Sequence, residues 1–325
     1  MSLIKDLLAK SYIGECLIII SHSVKDYIYT RLWYNNKKVS YNKTAVAVVD
    51  GKLYSGGLTD RFIGIVSLYA WCKENGINFR VSYTSPFSLS DYVQPNIYDW
   101  TIRNGDYVCS SKCARLIYAV GEKHFARRLD LLYKLNKKKQ IHFYGNRDIL
   151  LELQYKKYNW GTLFQELFKP SQSLQDKLTI LKKQIGNEYF SITLRFQNLL
   201  GDFDEYDFKS IESEIEKDSL VKRCKGTIIN LIQQNSYKHC LVTSDSIHFL
   251  NEVSSIDGVY VIPGTLVHMG SNAEGSYEQY EKSFLDFFML ADSSRIYNIV
   301  YGDMYPSGFP QFAAKIHDVD FIRIK

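Results

Sequence analysis

The sequence predicts an α/β fold built from two doubly wound domains, and three observations lead to that prediction. The chain has 325 residues, which is the length of about two ordinary domains. Short apolar runs with the length of buried strands alternate with longer amphipathic helical patterns. The alternation occurs in both halves of the chain, and such patterns form parallel sheets that helices cover on both faces. We therefore expect two Rossmann-like domains that face each other across a cleft.

The first half of the chain contains three predicted strands and one clear helix. TAVAVVD (Thr44–Asp50) reads as a buried strand, and the helical pattern RFIGIVSLYAWCKENG that follows it ends at Gly76. NFRVSY is the next predicted strand, and QIHFYG (Gln140–Gly145) is another. This strand–loop–helix–strand order is the unit from which parallel sheets are built.

The second half repeats the pattern after a short boundary segment. Its predicted strands are YFSITLRF (Tyr189–Phe196), HCLVTSDS (His239–Ser246), GVYVIPG (Gly258–Gly264) and RIYNIVYG (Arg295–Gly302). In the boundary segment, Pro170 interrupts a helical stretch, and Ser171 or Ser173 can cap a new helix. We place the first domain at residues 1–170 and the second at 171–325.

Composition excludes several classes of function. The net charge of +5 favours anionic ligands or a membrane surface but is too small to indicate nucleic-acid binding. The six cysteines are scattered and lack the second close pair that a zinc site requires, so buried free thiols are expected. No pair of histidines has metal-ligand spacing, and no G-x-S-x-G nucleophile elbow is present. We expect no bound metal and no serine hydrolase.

The N-terminal region predicts a cytoplasmic protein. Its apolar run, Cys16–Ile20, is far shorter than a membrane span, and no clear signal-peptide cleavage site follows it. Peripheral contact with the inner face of a membrane stays open, because KLNKKK (Lys134–Lys139) can bind anionic lipid. The other interpretation of this run is a solvated loop.

A glycine-rich turn precedes the helix of the first half. Gly56 and Gly57 allow close approach of a ligand, and the helix N-terminus that follows favours an anion. Arg61 adds a guanidinium that suits phosphate or carboxylate. The motif matches neither the dinucleotide fingerprint nor the P-loop. A tight turn with an aspartate cap is the alternative interpretation.

Arg195 stands at the carboxyl end of a predicted strand, where open α/β sheets bind their ligands. An arginine at that position is well placed for a diphosphate. The acids Asp202, Asp204 and Glu205 follow in one short loop, and a carboxylate near an acceptor hydroxyl can act as a general base. We treat Asp202 as the candidate base, and an ordinary surface loop or a metal-binding Asp-x-Asp as the alternatives.

Two further stretches place polar residues at strand ends or helix starts. Ser244 and Asp245 follow a predicted strand, where they bind a nucleoside, cap the next helix, or do both. Ser307 and Gly308 open a later helix, a second phosphate-ready N-terminus. Asp286 lies inside an apolar helix and needs a partner if it is buried.

Together these stretches resemble the fucosyltransferase superfamily that includes the nodulation, α-1,6- and protein O-fucosyltransferases, with the closest likeness to bacterial members from polysaccharide loci. GGLTDRFIGIVSLY is similar to the family's motif G-G-[LF]-[GA]-D-R, and SITLRF is similar to its H-x-R-[RF] strand. VTSDS is similar to its strand end near the nucleoside. SFLDFFMLADSSRIYNIVYGDMYPSGFPQFAA is similar to its third motif, an acid on a helix and a serine at a helix start. The likeness covers most of residues 50–315.

The resemblance implies a GT-B glycosyltransferase that inverts the anomeric centre without a metal or other cofactor. It implies that Arg195 holds the donor diphosphate and that Ser244, Asp245, Asp286, Ser307 and Gly308 contact the donor, with Gly56, Gly57 and Arg61 opposite them. The first domain is then the acceptor side and the second binds the nucleotide sugar, which in this family is most often GDP-fucose. The implied acceptor is a glycan or a lipid-linked oligosaccharide, and no nucleic-acid partner is implied.

The sequence departs from the family pattern beside Arg195. Thr193 stands where the family has histidine, and Phe196 stands where a second arginine is often found. These departures leave two alternatives open. The chain can be a transferase for another nucleotide sugar, or a nucleotide-binding protein without turnover.

Overall fold

A computed structural model describes residues 12–121, 125–135, 139–152, 157–186, 188–202, 208–235, 239–267, 269 and 275–325. Their strands, in chain order, are β1 (Thr44–Val49), β2 (Asn78–Tyr83), β3 (Val93–Pro95), β4 (Ala114–Ala119), β5 (Gln140–Gly145), β6 (Phe168–Pro170), β7 (Tyr189–Leu194), β8 (His239–Ser244), β9 (Val259–Tyr260), β10 (Arg295–Ile299) and β11 (Asp320–Ile324). The helices are α1 (Tyr12–Trp33), α2 (Leu58–Asn75), α3 (Phe125–Leu135), α4 (Ile149–Glu152), α5 (Trp160–Leu167), α6 (Gln172–Ile185), α7 (Glu214–Gln234), α8 (Ile247–Val253), α9 (Tyr277–Ala291) and α10 (Phe309–His317).

The chain divides into two units. Counting described residues only, unit 1 comprises Met1–Leu89, Pro95–Lys169 and Met269–Asn272, and unit 2 comprises Ser90–Gln94, Pro170–His268 and Ala273–Lys325. Two short segments therefore depart from a division into contiguous halves. The rings of Tyr92 and Phe284 stack at 4.6 Å between centroids, which explains why Tyr92 belongs to unit 2. Met269 belongs to unit 1, where its carbonyl accepts a hydrogen bond from Arg61.

Unit 1 contains a four-stranded sheet in the order β2-β1-β5-β4, and all of its neighbouring strands are parallel. β1 is buried along its whole length, as expected for a central strand that helices cover on both faces. Helix α2 contacts β1, β2 and β5, and it is buried on nearly every side from Leu58 to Cys72. A helix that is apolar all round is a core helix, so α2 and the turn before it have a fixed position over the sheet.

Unit 2 contains a five-stranded sheet in the order β11-β10-β7-β8-β9, again with parallel neighbours. The last residue of β7, Leu194, pairs with Ser244 of β8 and with Ile299 of β10. The three central strands therefore end level with one another. A core cluster that includes Cys224, Ile228 and Phe249 packs α7 and α8 onto these strands.

The predicted α/β class with parallel sheets is confirmed. β4 and β11 were not predicted from the sequence, because each carries an arginine within its apolar run. The short two-stranded sheet of β3 and β6 was not predicted either. All six cysteines are free thiols, and Cys72, Cys113, Cys224 and Cys240 are buried. Within the described ranges, no helix combines the length and the apolar character needed to cross a bilayer.

Gly64 on α2 lies directly against the end of β5, which leaves no room for a side chain. A Cβ atom at Gly64 would overlap the carbonyl oxygen of Gly145, whereas a Cβ atom at Gly226 inside α7 would meet nothing within 4 Å. We expect Gly64→Ala to lower the free energy of unfolding by about 1–3 kcal/mol through overpacking. Gly226→Ala should raise it by about 0.5–1 kcal/mol through helix propensity. Urea denaturation measures both, and equal stability of the two variants would contradict the close approach of α2.

Candidate active site

The carboxyl edge of the unit 2 sheet brings several predicted residues together. Arg195 follows β7, Ser244 ends β8, and Asp245 comes next. Because Leu194 and Ser244 are paired in register, Arg195 and Asp245 lie side by side. The Arg195 Nε lies 3.8 Å from the Asp245 Oδ2 atom.

Asp245 holds the turn that follows Arg195. Its two carboxylate oxygens accept hydrogen bonds from the backbone N–H groups of Phe196 and Gln197, both at 2.8 Å. Gln197 has a φ of +53°, in the left-handed region that non-glycine residues rarely adopt. Burial raises the pKa of Asp245, while these two bonds and the Arg195 charge act in the opposite direction. Asp245 therefore positions the loop around Arg195, in addition to any contact with a nucleoside.

Arg195 is the partly exposed cation of this edge. Its side chain is 27% exposed, and its guanidinium carbon lies 5.0 Å from the centre of the Tyr305 ring. The Tyr305 N–H donates to the Arg195 carbonyl at 3.1 Å. A guanidinium that is held over an aromatic ring and still reaches solvent can bind an anionic ligand with little loss of side-chain entropy.

Asp202 lies at the start of α8. Its Oδ2 atom accepts hydrogen bonds from the Ser246 hydroxyl and the His248 N–H, both at 2.8 Å. The Ser246 hydroxyl in turn accepts from the Phe249 N–H at 3.0 Å, so both residues cap the helix. Asp202 remains exposed. The neighbouring acids Asp204 and Glu205 lie outside the described residues.

Ser307 and Gly308 precede α10, as the sequence predicts. Ser307 is buried, and its hydroxyl accepts from the Phe309 N–H at 3.2 Å. The Ser307 N–H donates to the Tyr305 carbonyl at 2.8 Å. The helix start is thus linked through Tyr305 to the Arg195 backbone.

Asp286 has its ionic partner on its own helix, α9. Both of its carboxylate oxygens accept from the Lys282 ammonium one turn earlier on α9, at 2.6 and 2.5 Å. Both side chains are buried, and burial raises the pKa of Asp286 while the Lys282 charge lowers it. The partner that a buried acid needs is therefore Lys282, and the geometry favours a structural role over a ligand contact.

The unit 1 turn is built around Arg61, which is buried rather than exposed as an anion-binding fork. Its Nε donates to the Gly56 carbonyl at 2.9 Å, and its Nη1 donates to the Tyr83 hydroxyl at 2.7 Å. Its Nη2 donates to the Met269 carbonyl. Because each guanidinium nitrogen already has an acceptor inside unit 1, the geometry favours a positioning role for Arg61.

Gly56 and Gly57 directly precede α2, and the Asp60 carboxylate lies beside both of them. Gly56 has a φ of +79°, and a Cβ atom there would lie 2.5 Å from the Asp60 Oδ2 atom. The Gly57 N–H donates to that oxygen at 3.1 Å. Asp60 thus occupies part of the positive helix N-terminus that the sequence assigns to an anion. The Thr59 hydroxyl beside it is buried and has no hydrogen-bond partner among the residues described.

Sequence reasoning missed Tyr305 and Thr59. Tyr305 lies ten residues beyond the start of β10, in a stretch rich in tyrosine, and only the sheet register brings it to Arg195. Thr59 lies two residues after the twin glycines, and its place in the first turn of α2 was the available signal. In the part of the chain that the structure describes, no group of three His, Cys, Asp or Glu residues has the geometry of a metal site.

Comparisons with known proteins identify the fold. The NodZ α-1,6-fucosyltransferase, in a crystal soaked with GDP-fucose, matches 85% of this chain and 93% of its own, with a TM-score of 0.53 and 13% identity. NodZ from Bradyrhizobium matches 84% of this chain and 92% of its own, with a TM-score of 0.52 and 13% identity. A point mutant of FUT1 from Arabidopsis thaliana, in complex with GDP, matches 97% of this chain and 79% of its own, with a TM-score of 0.56 and 13% identity.

The chain has a fucosyltransferase fold. The expected likeness to this superfamily is therefore confirmed for the fold. No model of a protein family and no curated protein matches the sequence. Within this fucosyltransferase fold, Thr193 is buried and its hydroxyl bonds to that of Thr243 at 2.9 Å, and Phe196 is buried against Phe249. The two departures from the family pattern are thus accommodated inside the core.

The two hydrogen bonds that the Asp245 carboxylate accepts should contribute measurably to stability. In Asp245→Asn, one of the two backbone N–H groups at Phe196 and Gln197 loses its acceptor. We expect the free energy of unfolding to fall by about 1–3 kcal/mol. Asp303→Asn is the control, because the pair of Asp303 with Lys209 is exposed and its loss should cost less than about 0.5 kcal/mol. Urea denaturation compares the two, and an Asp245→Asn variant as stable as the control would refute this role.

Proposed function

We propose that this chain is an inverting glycosyltransferase that transfers fucose from GDP-fucose to a hydroxyl of a bacterial surface glycan. The observation that carries the proposal is the position of Arg195 at the carboxyl edge of the sheet, in a fold shared with fucosyltransferases whose crystals hold GDP or GDP-fucose. We assign donor binding to unit 2 and acceptor binding to unit 1.

Arg195 is assigned to the leaving diphosphate. A guanidinium beside the β-phosphate stabilises the negative charge that develops as the bond between fucose and diphosphate breaks. Asp245 and Tyr305 hold this arginine in place, which supports preorganisation before the donor binds. At the start of α10, the Gly308 N–H is assigned to the same charge, since the Ser307 N–H already donates to the Tyr305 carbonyl. Ser244 is assigned to the nucleoside.

Asp202 is assigned as the general base. It accepts the proton of the acceptor hydroxyl while that oxygen forms a bond to the anomeric carbon, on the face opposite the departing GDP. Its two present hydrogen bonds both end on Oδ2, so the proton is assigned to Oδ1.

In unit 1, Arg61 is assigned to hold the Gly56–Gly57 turn in the conformation that the acceptor requires. Transfer is proposed to need no metal, and turnover is expected to persist in EDTA.

A nucleotide-binding protein without turnover is the second candidate. The buried Phe196 favours it, because this position adds no second cation for the diphosphate. Two measurements separate the candidates. Thermal-shift profiles against GDP, GDP-fucose, UDP and dTDP report which nucleotide binds, and GDP release from GDP-fucose reports turnover. Binding of GDP without release would favour the second candidate, while a preference for another base would indicate a different donor.

Replacement of Arg195 tests the assignment directly. We expect Arg195→Ala to lower turnover by about 10²–10³-fold, the effect of removing one donor to a developing oxyanion. Arg295→Ala is the matched control, because Arg295 begins β10 at the opposite edge of the same sheet and pairs with Asp320 in solvent. Its turnover should equal that of the unmodified protein. Full turnover in Arg195→Ala, measured as GDP release, would remove Arg195 from the mechanism.

A further inference from the structure

Helix α1 buries two polar residues against the protein and exposes several large apolar residues on its other side. Asp26 and Thr30 are buried. On the opposite side, six large apolar side chains are each between 49% and 70% exposed. These are Leu17, Ile20, Val24, Tyr27, Ile28 and Leu32. This is the reverse of the usual pattern for a helix that packs on a soluble domain, and so large an exposed apolar stripe indicates an interaction surface.

Buried polar bonds fix the orientation of the helix. The Asp26 carboxylate forms an ion pair with the buried Arg128 and accepts a hydrogen bond from the Tyr118 N–H at 2.9 Å. The Thr30 hydroxyl accepts from the Leu116 N–H at 3.1 Å. Rotation of α1 about its axis to bury the apolar side would remove the Asp26 and Thr30 acceptors. The Arg128 charge and two backbone N–H groups of β4 would then lose these partners. The apolar side is therefore held outward.

Basic residues accompany the apolar ones on this side. Lys25 and Arg31 are exposed between them, and the guanidinium carbon of Arg115 lies 5.5 Å from the centre of the Tyr27 ring. Burial lowers the pKa of Lys139, and the nearby charges of Arg115 and Arg31 lower it further. α1 contains two acids: Asp26 faces inward, and the side chain of Glu15 lies outside the described part of the structure.

We propose that this side of α1 lies in the surface of an anionic membrane, with Leu17, Ile20, Val24, Tyr27, Ile28 and Leu32 among the acyl chains and Lys25 and Arg31 at the lipid phosphates. We call these eight residues the α1 outer face. Basic residues beside an apolar helical stripe are typical of helices that lie in the membrane interface. Tyrosine is favoured there as well.

Charge argues against a second copy of the chain as the partner. Two α1 outer faces in contact would bring Lys25 and Arg31 of both copies together, which is unfavourable. Anionic lipid supplies the missing negative charge. The surface is formed by unit 1 alone and does not depend on the proposed transferase activity. Of the basic run Lys134–Lys139, residues 136–138 lie outside the described part of the chain and carry no part of this inference.

Co-sedimentation of the full chain with vesicles tests the proposal. We expect binding to vesicles of phosphatidylcholine that contain phosphatidylglycerol, weak binding to phosphatidylcholine alone, and a loss of binding as salt is raised. In Lys25→Gln with Arg31→Gln, the partition coefficient should fall about fivefold for each charge removed. In Ile20→Glu with Ile28→Glu, binding should be lost.

The control places the same chemical change elsewhere. Ile180→Glu with Ile215→Glu alters two exposed isoleucines on α6 and α7 of unit 2, and vesicle binding should be unchanged. Far-UV circular dichroism and urea denaturation verify that each variant is folded, which is expected because every altered side chain points to solvent.

Three results would overturn the proposal. One is equal binding to neutral and anionic vesicles, and another is vesicle binding that survives Ile20→Glu with Ile28→Glu. The third is a dimer, detected by sedimentation velocity without lipid, that these glutamates dissociate while no vesicle binding is seen. The third result would assign the α1 outer face to a second copy. Because none of these measurements uses the donor or its turnover, failure here is distinct from failure of the proposed function.

Discussion

The carboxylate of Asp245 is the constraint on which the arrangement of the unit 2 edge depends. β7 and β8 are paired in register as far as Leu194 and Ser244, so the residue after β8 reaches the backbone just beyond β7. There Asp245 binds two consecutive N–H groups and stabilises a turn with a left-handed residue, Gln197. A residue in that conformation costs on the order of 1–3 kcal/mol and persists only where its surroundings over-determine it. One acid therefore sets the direction in which Arg195 leaves the sheet.

The two arginines that the motifs single out differ in a way that physical chemistry explains. Arg61 is buried, and burial of a guanidinium is tolerated only where acceptors surround it. The carbonyls of Gly56 and Met269 and the Tyr83 hydroxyl supply them. Arg195 keeps part of its surface in solvent and rests on an aromatic ring. The first arrangement fixes a turn inside unit 1, while the second keeps a guanidinium partly exposed at the sheet edge.

Buried polar pairs serve orientation elsewhere in the molecule too. Lys282 and Asp286 satisfy each other inside α9, and Asp26 with Arg128 fixes the rotation of α1. Breaking either pair from one side would strand a buried charge, which is far more costly than replacing both partners together. In α1 the result is that six large apolar side chains are exposed. The chain thus carries a charged strand edge in unit 2 and an apolar, basic helix face in unit 1.

The sequence by itself determined the α/β class, the central strands and the strand-end position of Arg195. A buried parallel strand needs a continuous apolar run and a core helix needs an apolar pattern, so both are visible locally. The ends of β7, β8 and β10 were predicted two or three residues too far along the chain, because apolar and hydroxyl residues continue past the last ladder bond. The edge strand β11 and the strand β4 were missed because their charged residues interrupt the pattern.

Only the tertiary structure decided what the polar residues do. Arg61, Asp286 and Asp202 belong to motifs that suggest ligand contact, yet their hydrogen bonds run to Gly56, Lys282 and Ser246. Tyr305 became part of the edge only through the pairing of β7 with β10. The outward apolar face of α1 likewise depends on partners in β4 and α3. A residue's type and local spacing determine which bonds it is able to make. Which of them form depends on burial and on partners from distant segments, such as Met269 for Arg61 and Ser246 for Asp202.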